Sequence, residues 1–166
     1  MISSERFILR ALKPSDASTK YLSWLSDDVS RFILNKQESI TELQNYISEN
    51  NAQENTYLFG IFTKQTDTHI GNIKFIIAPY EQGNCAEMGI LIGEKQWHGK
   101  GVAKEVIFAF IDAKKEEYKL KRVLLGVDKA NSAAVHAYLK MGFKTLEPGQ
   151  LDNPELTGVD MELMLN

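Results

Sequence analysis

The sequence predicts an α/β protein, a mixed and mostly antiparallel sheet of about seven strands flanked by about four helices. Three observations predict it. Apolar residues change period along the chain, from helical spacing before residue 50 to strand-like runs over 57–93 and back to helical spacing after 99. Three of the strand-like runs follow one another through short polar connections, which makes them hairpin neighbours. A Val- and Leu-rich run of strand length, 122–127, then separates the two last helical segments.

Taken in order, residues 7–12 form a short apolar strand. Pro14, Ser15 and Asp16 turn the chain into a helix over 17–25, with Tyr21, Leu22 and Leu25 on one side. Residues 41–50 form the second helix, with Thr41 as N-cap and Gln44 at capping-box spacing. Strands follow at 57–62, 70–78 and 86–93, joined by a polar turn at 64–68 and a connection at 79–84. The longest helix spans 99–118. Val102, Val106, Ala109 and Ala113 recur at helical spacing, and Ala103, Ile107 and Phe110 widen the stripe. After the strand 122–127 comes a helix over 131–141, closed by Gly142 at the usual glycine position. Segments 143–146 and 159–165 make a final strand pair around a loop containing Pro148 and Pro154. The order is β-α-α-β-β-β-α-β-α-β-β, in a chain of one-domain length spanning 1–166.

The 166 residues suffice for a core without disulfide staples. A hydrophobic share of 43% and a charged share of 25% are ordinary for a globular protein. The net charge of -3 carries no footprint of a nucleic-acid or anionic-membrane partner. One cysteine, Cys85, forms no internal disulfide, which fits a reducing compartment. The first residues lack the charged-then-apolar pattern of a signal peptide, and no apolar run reaches the length of a membrane span. The expectation is a cytoplasmic protein. His69, His98 and His136 stand at no metal-ligand spacing with each other or with Cys85, so no metal site is expected.

The segment Gln96-Trp-His-Gly-Lys-Gly-Val-Ala103 places two glycines at the mouth of the longest helix. A helix N-terminus presents unpaired N–H groups and the positive end of the helix dipole. Glycines there let an anion approach the backbone, and Lys100 adds positive charge. The plainer reading is a tight strand-to-helix turn. A dinucleotide fingerprint needs a third small residue where Lys104 stands, and a P-loop needs Ser or Thr where Gly101 stands.

Gln96-x-x-Gly99-x-Gly101 resembles the acyl-CoA pyrophosphate loop of the GNAT superfamily of N-acetyltransferases. "VDKANSAAVHAYLKMGF", residues 127–143, resembles the family's second hallmark, an Asn opening a helix, a Tyr within it and Gly-Phe after it. "AEMGILIGEKQWHGKGVAKEV", "RFILRALKPSDA" and "YLSWLSDDVSRFI" are similar to the RimJ/RimL-type branch, which acetylates ribosomal-protein N-termini. The resemblance covers nearly the whole chain. It implies acetyl-CoA as the donor. It also implies that the backbone of Gln96, Trp97, His98, Gly99, Lys100, Gly101, Val102 and Ala103 receives the pyrophosphate. A bulge near Gly89 would free Ile90, Leu91 and Ile92 to pair with pantetheine.

Acetyl transfer from a thioester requires a neutral amine, a donor for the developing oxyanion and a proton for the leaving thiolate. The resemblance implies Tyr138 as the acid and Asn131 as a cofactor contact. The plainer readings are a core aromatic and an N-cap. Glu87, a carboxylate in an apolar strand, is the candidate base, with burial expected to raise its pKa; an outward strand position is the alternative. Cys85 has no partner of a nucleophile and is expected to be a packing residue.

For the acceptor, the resemblance implies Trp24, Asp27, Asp28, Arg31, Phe32 and the loop 79–83. A small-molecule amine, an amino sugar or a protein N-terminus are the classes that remain, with the protein a monomer or homodimer. A non-catalytic acyl-CoA-binding sensor on the same fold is the competing reading, and a nucleotide-binding domain a further one.

Overall fold

The computed structural model describes residues 1–26, 36–146 and 158–166. In chain order the described elements are β1 (Ile2–Ser3), β2 (Phe7–Ala11), α1 (Thr19–Ser26), α2 (Ile40–Ala52), β3 (Thr56–Thr63), β4 (His69–Tyr80), β5 (Gly83–Ile92), α3 (Val102–Tyr118), β6 (Leu120–Asp128), α4 (Ser132–Met141), β7 (Lys144–Thr145) and β8 (Gly158–Met164). The strands form one mixed sheet in the order β1-β2-β3-β4-β5-β6-β8-β7. β5 and β6 pair in parallel, whereas β1–β2, β2–β3, β6–β8 and β7–β8 pair antiparallel. The α/β class holds, with eight strands among the described residues instead of seven. The added strand, β1, has two residues and is too short to carry a period.

Contacts divide the chain into two compact units, Met1–Phe75 with Ile90–Ala113 and Ile76–Gly89 with Lys114–Asn166. In the first unit, β3 is buried from Leu58 to Thr63 because both its faces are covered. Phe59 meets Phe110 of α3 on one face, and Phe110 also stacks on Phe75 at 3.6 Å between ring centroids. Leu58 and Phe62, on the other face, join a cluster of Leu12, Tyr21, Trp24, Leu25, Leu43 and Ile47 from the α1 and α2 side. This explains the apolar periods of both helices.

α2 starts one residue before the expected Thr41 cap. Ser39 is the N-cap, accepting from the Glu42 amide, while the Glu42 carboxylate accepts from the Glu38 amide. A serine followed by Glu three residues later is the stronger capping pair. α1 likewise begins at Thr19, two residues later than expected, after a short 3-10 turn at Pro14–Asp16.

Gly93 closes this unit's packing. A Cβ there would lie 1.9 Å from the Trp24 indole. Gly93→Ala is therefore expected to destabilise the protein by about 1–3 kcal/mol and lower Tm by roughly 5 °C. An unchanged Tm in a thermal melt would mean that the indole moves aside freely.

In the second unit, β6 is flanked on both sides. Its pairing with β5 runs from Asn84↔Leu120 to Met88↔Leu125, and its pairing with β8 from Arg122↔Met164 to Asp128↔Gly158. β5 runs from Gly83 to Ile92; its register against β6 shifts between Asn84 and Cys85, and the paired residues end at Met88, one before Gly89. The connection before β5 is tighter than the expected 79–84. Only Glu81 and Gln82 lie between the strands, both at positive φ, as a primed hairpin turn requires. Arg122 pairs with Glu162 at 3.0 Å and lies 3.8 Å over the Tyr80 ring. Cys85 is buried beside it; burial pushes its thiol pKa up, against the opposing pull of Arg122. The expected strand 143–146 is reduced to β7, and Pro148 and Pro154 lie outside the described residues.

Candidate active site

The glycine segment lies in the first unit. A short 3-10 turn at Lys95–Trp97 leads into it, and α3 opens at Val102, three residues later than expected from Gly99. The shift has a backbone cause. Gly99 has φ +69° and Gly101 φ +76°, left-handed values that end any helical run. The Glu105 N–H donates to the Gly101 carbonyl at 3.1 Å and opens the helical ladder, so the amides before it lie outside that ladder. A Cβ at Gly99 would meet nothing within 4 Å, and one at Gly101 only the Arg6 guanidinium at 3.8 Å. The glycines thus supply a left-handed backbone and keep open the space in front of it. These are the features of an anion cradle.

Three side chains hold the loop in this shape. Trp97 packs edge-on against Phe7 with ring centroids 5.2 Å apart. A ring nitrogen of His98, Nε2, lies 2.7 Å from the Ile92 carbonyl, tying the loop to the end of β5. Arg6 donates from Nη2 to the Lys100 carbonyl at 2.9 Å and from Nε to Glu105 at 2.7 Å. Burial works to raise the Glu105 pKa, but bonds from the Ser4 hydroxyl and from the Arg6 amide and guanidinium outweigh it. They hold the carboxyl below the usual carboxylate range. By linkage, the stability from this carboxylate is fully present above the ordinary carboxylate pKa and is lost as the pH falls through the lowered one.

The candidate acid and base lie in the second unit. α4 is capped by Asn131, whose side-chain oxygen accepts from the Ala134 amide at 3.4 Å. Its C-terminus is closed by Gly142 at φ +104°, whose amide donates to the Leu139 and Tyr138 carbonyls. Both caps were legible in the sequence. Tyr138 is the single buried residue of α4, and its ring meets Phe143 edge-on at 5.6 Å. Burial pushes its hydroxyl pKa up to about 12, so the phenol stays a proton donor at neutral pH. Glu87 is exposed on β5, as is Gly89 two residues on. That matches the face expected from strand alternation and replaces the expected burial of Glu87.

Among the acceptor candidates, Trp24 is 4% exposed, with its indole against Gly93 and its ring edge-on to His69. That is a packing position, and α1 presents Trp24 to the core. Asp27, Asp28, Arg31 and Phe32 lie outside the described residues. His69 is half-buried between Phe62, Tyr21 and Trp24, with its Nε2 2.7 Å from Asn72. Burial lowers its pKa.

A family model described as "Acetyltransferase (GNAT) domain" matches residues 6–144. The chain belongs to the GNAT acetyltransferase family. It is an N-acetyltransferase, and so an acyltransferase. The N-acetyltransferase YoaA of Bacillus subtilis, itself uncharacterized, is 29% identical over 148 residues, which are 87% of this chain and 82% of that protein. A candidate ribosomal-protein-serine acetyltransferase from Vibrio cholerae has the same fold, with a TM-score of 0.79, 22% identity, and coverage of 99% of this chain and 97% of that one. So does AAC(6')-Ib in complex with paromomycin and acetyl-CoA, with a TM-score of 0.78, 17% identity, and coverage of 96% and 94%. Among the described residues, no helix of this GNAT domain is long and apolar enough to cross a membrane.

The GNAT motifs drew attention to the loop but not to what shapes it. Arg6 and Glu105 are 99 residues apart, and although each lies in a segment similar to the family, nothing in either segment pairs them. The available signal was an acidic residue in the first turn of α3, directly behind an expected anion site, where it would need a cation.

Proposed function

We propose that this GNAT domain transfers an acetyl group from acetyl-CoA to a primary amine by direct attack in a ternary complex, as a member of the RimJ/RimL-like branch. The observation that carries the reading is the loop 96–103. Its two glycines stand at positive φ with open space before them, at the head of a 17-residue helix. Any side chain at Gly99 would fill space that a pyrophosphate needs. Bound acetyl-CoA supplies an activated acyl group as its thioester.

In this reading the amides of the loop 96–103 take the pyrophosphate, and the backbone of Ile90, Leu91 and Ile92 takes the pantetheine arm. The Asn131 carboxamide keeps two N–H donors beyond its capping bond, which suits a contact to the donor molecule. Tyr138, protonated at neutral pH, supplies the proton to the leaving sulfur. Glu87, exposed on its strand, takes the proton from the amine, directly or through water. Trp24 shapes the acceptor side from within the core, and Asp28, Arg31 and Phe32 are the further acceptor residues of this reading.

The favoured acceptor is a small-molecule amine or an amino sugar, and a protein N-terminus is the other class. Fold relatives described with paromomycin and as a ribosomal-protein acetyltransferase make both worth assaying. The site of action is the cytoplasm, as a monomer or homodimer, without a nucleic-acid or membrane partner.

The test is free-thiol release from acetyl-CoA against polyamines, amino-sugar nucleotides and peptides with ribosomal N-termini. Turnover with one class is the expected result. Acetyl-CoA binding with silence across the panel would favour an acceptor outside the panel or the non-catalytic acyl-CoA sensor. Once an acceptor is found, Glu87→Gln is expected to lower kcat/KM by about 10²-fold. An unaltered pH–rate profile would exclude Glu87 as the base.

A further inference from the structure

We propose that Arg6 and Glu105 form a clasp that positions the pyrophosphate loop, so that Glu105, an acidic residue beside an anion site, strengthens anion binding. The inference rests on the cradle reading above and adds two positioning residues to it.

Each contact has a consequence for the loop. The Arg6 guanidinium holds the Lys100 carbonyl at 2.9 Å. In a trans peptide the carbonyl and the following N–H point in opposite directions. Pinning the Lys100 carbonyl therefore fixes the Gly101 N–H on the side away from Arg6. The Arg6 side chain is 40% exposed; its guanidinium lies 4.9 Å over the Phe7 ring and 5.9 Å over the Trp97 ring, contacts that do not fix its fork, so it needs a directional anchor. Glu105 is that anchor. Its Oε2 accepts from Arg6 Nε at 2.7 Å, and its Oε1 accepts from the Arg6 amide at 2.7 Å and the Ser4 hydroxyl at 2.6 Å. Both carboxylate oxygens are thus turned to Ser4 and Arg6. The charge of Glu105 is spent on a guanidinium, and its repulsion of a bound anion is offset.

The competing account is simple electrostatics. A carboxylate in the first turn of α3 would weaken anion binding, and its removal would strengthen it. The two accounts predict opposite signs for Glu105→Gln. A glutamine amide cannot accept from Arg6 Nε while its oxygen takes the Ser4 and Arg6 amide bonds, so Arg6 is released.

The experiment is titration of the full chain with acetyl-CoA, and with S-acetylpantetheine, which lacks the pyrophosphate. Wild type is expected to prefer acetyl-CoA strongly. Glu105→Gln and Arg6→Ala are each expected to weaken acetyl-CoA binding at least 5-fold and S-acetylpantetheine binding less than 2-fold. Arg6→Lys, which keeps the charge but not the forked geometry, is expected to fall between and serves if Arg6→Ala does not fold. Equal or tighter acetyl-CoA binding by Glu105→Gln overturns the clasp. So does an equal loss for both molecules, which marks a general loss of structure. A wild type without preference for acetyl-CoA overturns the cradle reading itself.

Discussion

Gly101→Glu is expected to weaken acetyl-CoA binding at least 100-fold while leaving the protein folded. The site has room for a side chain, since the nearest atom to a Cβ is Arg6 Nη2 at 3.8 Å, so internal overlap is a small part of the effect. The left-handed φ of +76° costs any residue but glycine about 1–2 kcal/mol. The larger part is charge. Two unit charges 4 Å apart interact by about 4 kcal/mol at the effective dielectric of a protein surface, and 100-fold in affinity corresponds to about 2.8 kcal/mol. A new carboxylate would also compete with Glu105 for Arg6. Gly101→Ala separates the terms, because it carries the strain without the charge and should lose roughly 10-fold. Calorimetric titration of all three proteins is the measurement. Unchanged affinity in Gly101→Glu would end the assignment of the loop as a cradle.

Tyr138→Phe carries the other large effect, and it should appear in kcat. The ring packs on Phe143, and phenylalanine keeps that contact, so the fold and acetyl-CoA affinity should hold within about twofold. What is lost is the hydroxyl proton. With a pKa pushed up to about 12, the phenol is protonated throughout the working range. It is also a weaker acid than a thiol with its usual pKa near 8.5, so proton transfer to the sulfur runs uphill. The expected loss is therefore moderate for general-acid catalysis, about 10²-fold in kcat. Full activity would return Tyr138 to the core. The same raised pKa has a stability signature. The unfolded chain loses this proton near pH 10 and the folded one near pH 12, so the contribution is present below 10 and lost as the pH rises to 12.

Local patterns were readable where their physics is local. The caps of α4 follow from Asn131 and Gly142, each of which acts on its own neighbours. The β3–β4–β5 neighbourhood follows from short connections, and the face of Glu87 and Gly89 from strand alternation. The packing of Trp24 was not legible because its partner, Gly93, lies far away in sequence, and only tertiary packing reveals that an indole fills the space above that glycine. The start of α3 was placed too early because helical periodicity says nothing about the sign of φ at Gly99 and Gly101. Arg6 and Glu105 went unseen for the same reason as Trp24, since a charge pair 99 residues apart leaves no periodic trace.

Cys85 bears on how any of this is measured. The chain has a single thiol, it is buried, and burial makes its thiolate harder to form. Disulfide reagents react with thiolates and need access to them. A chromogenic disulfide added to a running assay will therefore titrate the coenzyme A set free, against a protein background close to zero while the fold is intact. Unfolding in denaturant should release one equivalent of colour per chain, which gives the same reagent a second use as a count of unfolded molecules.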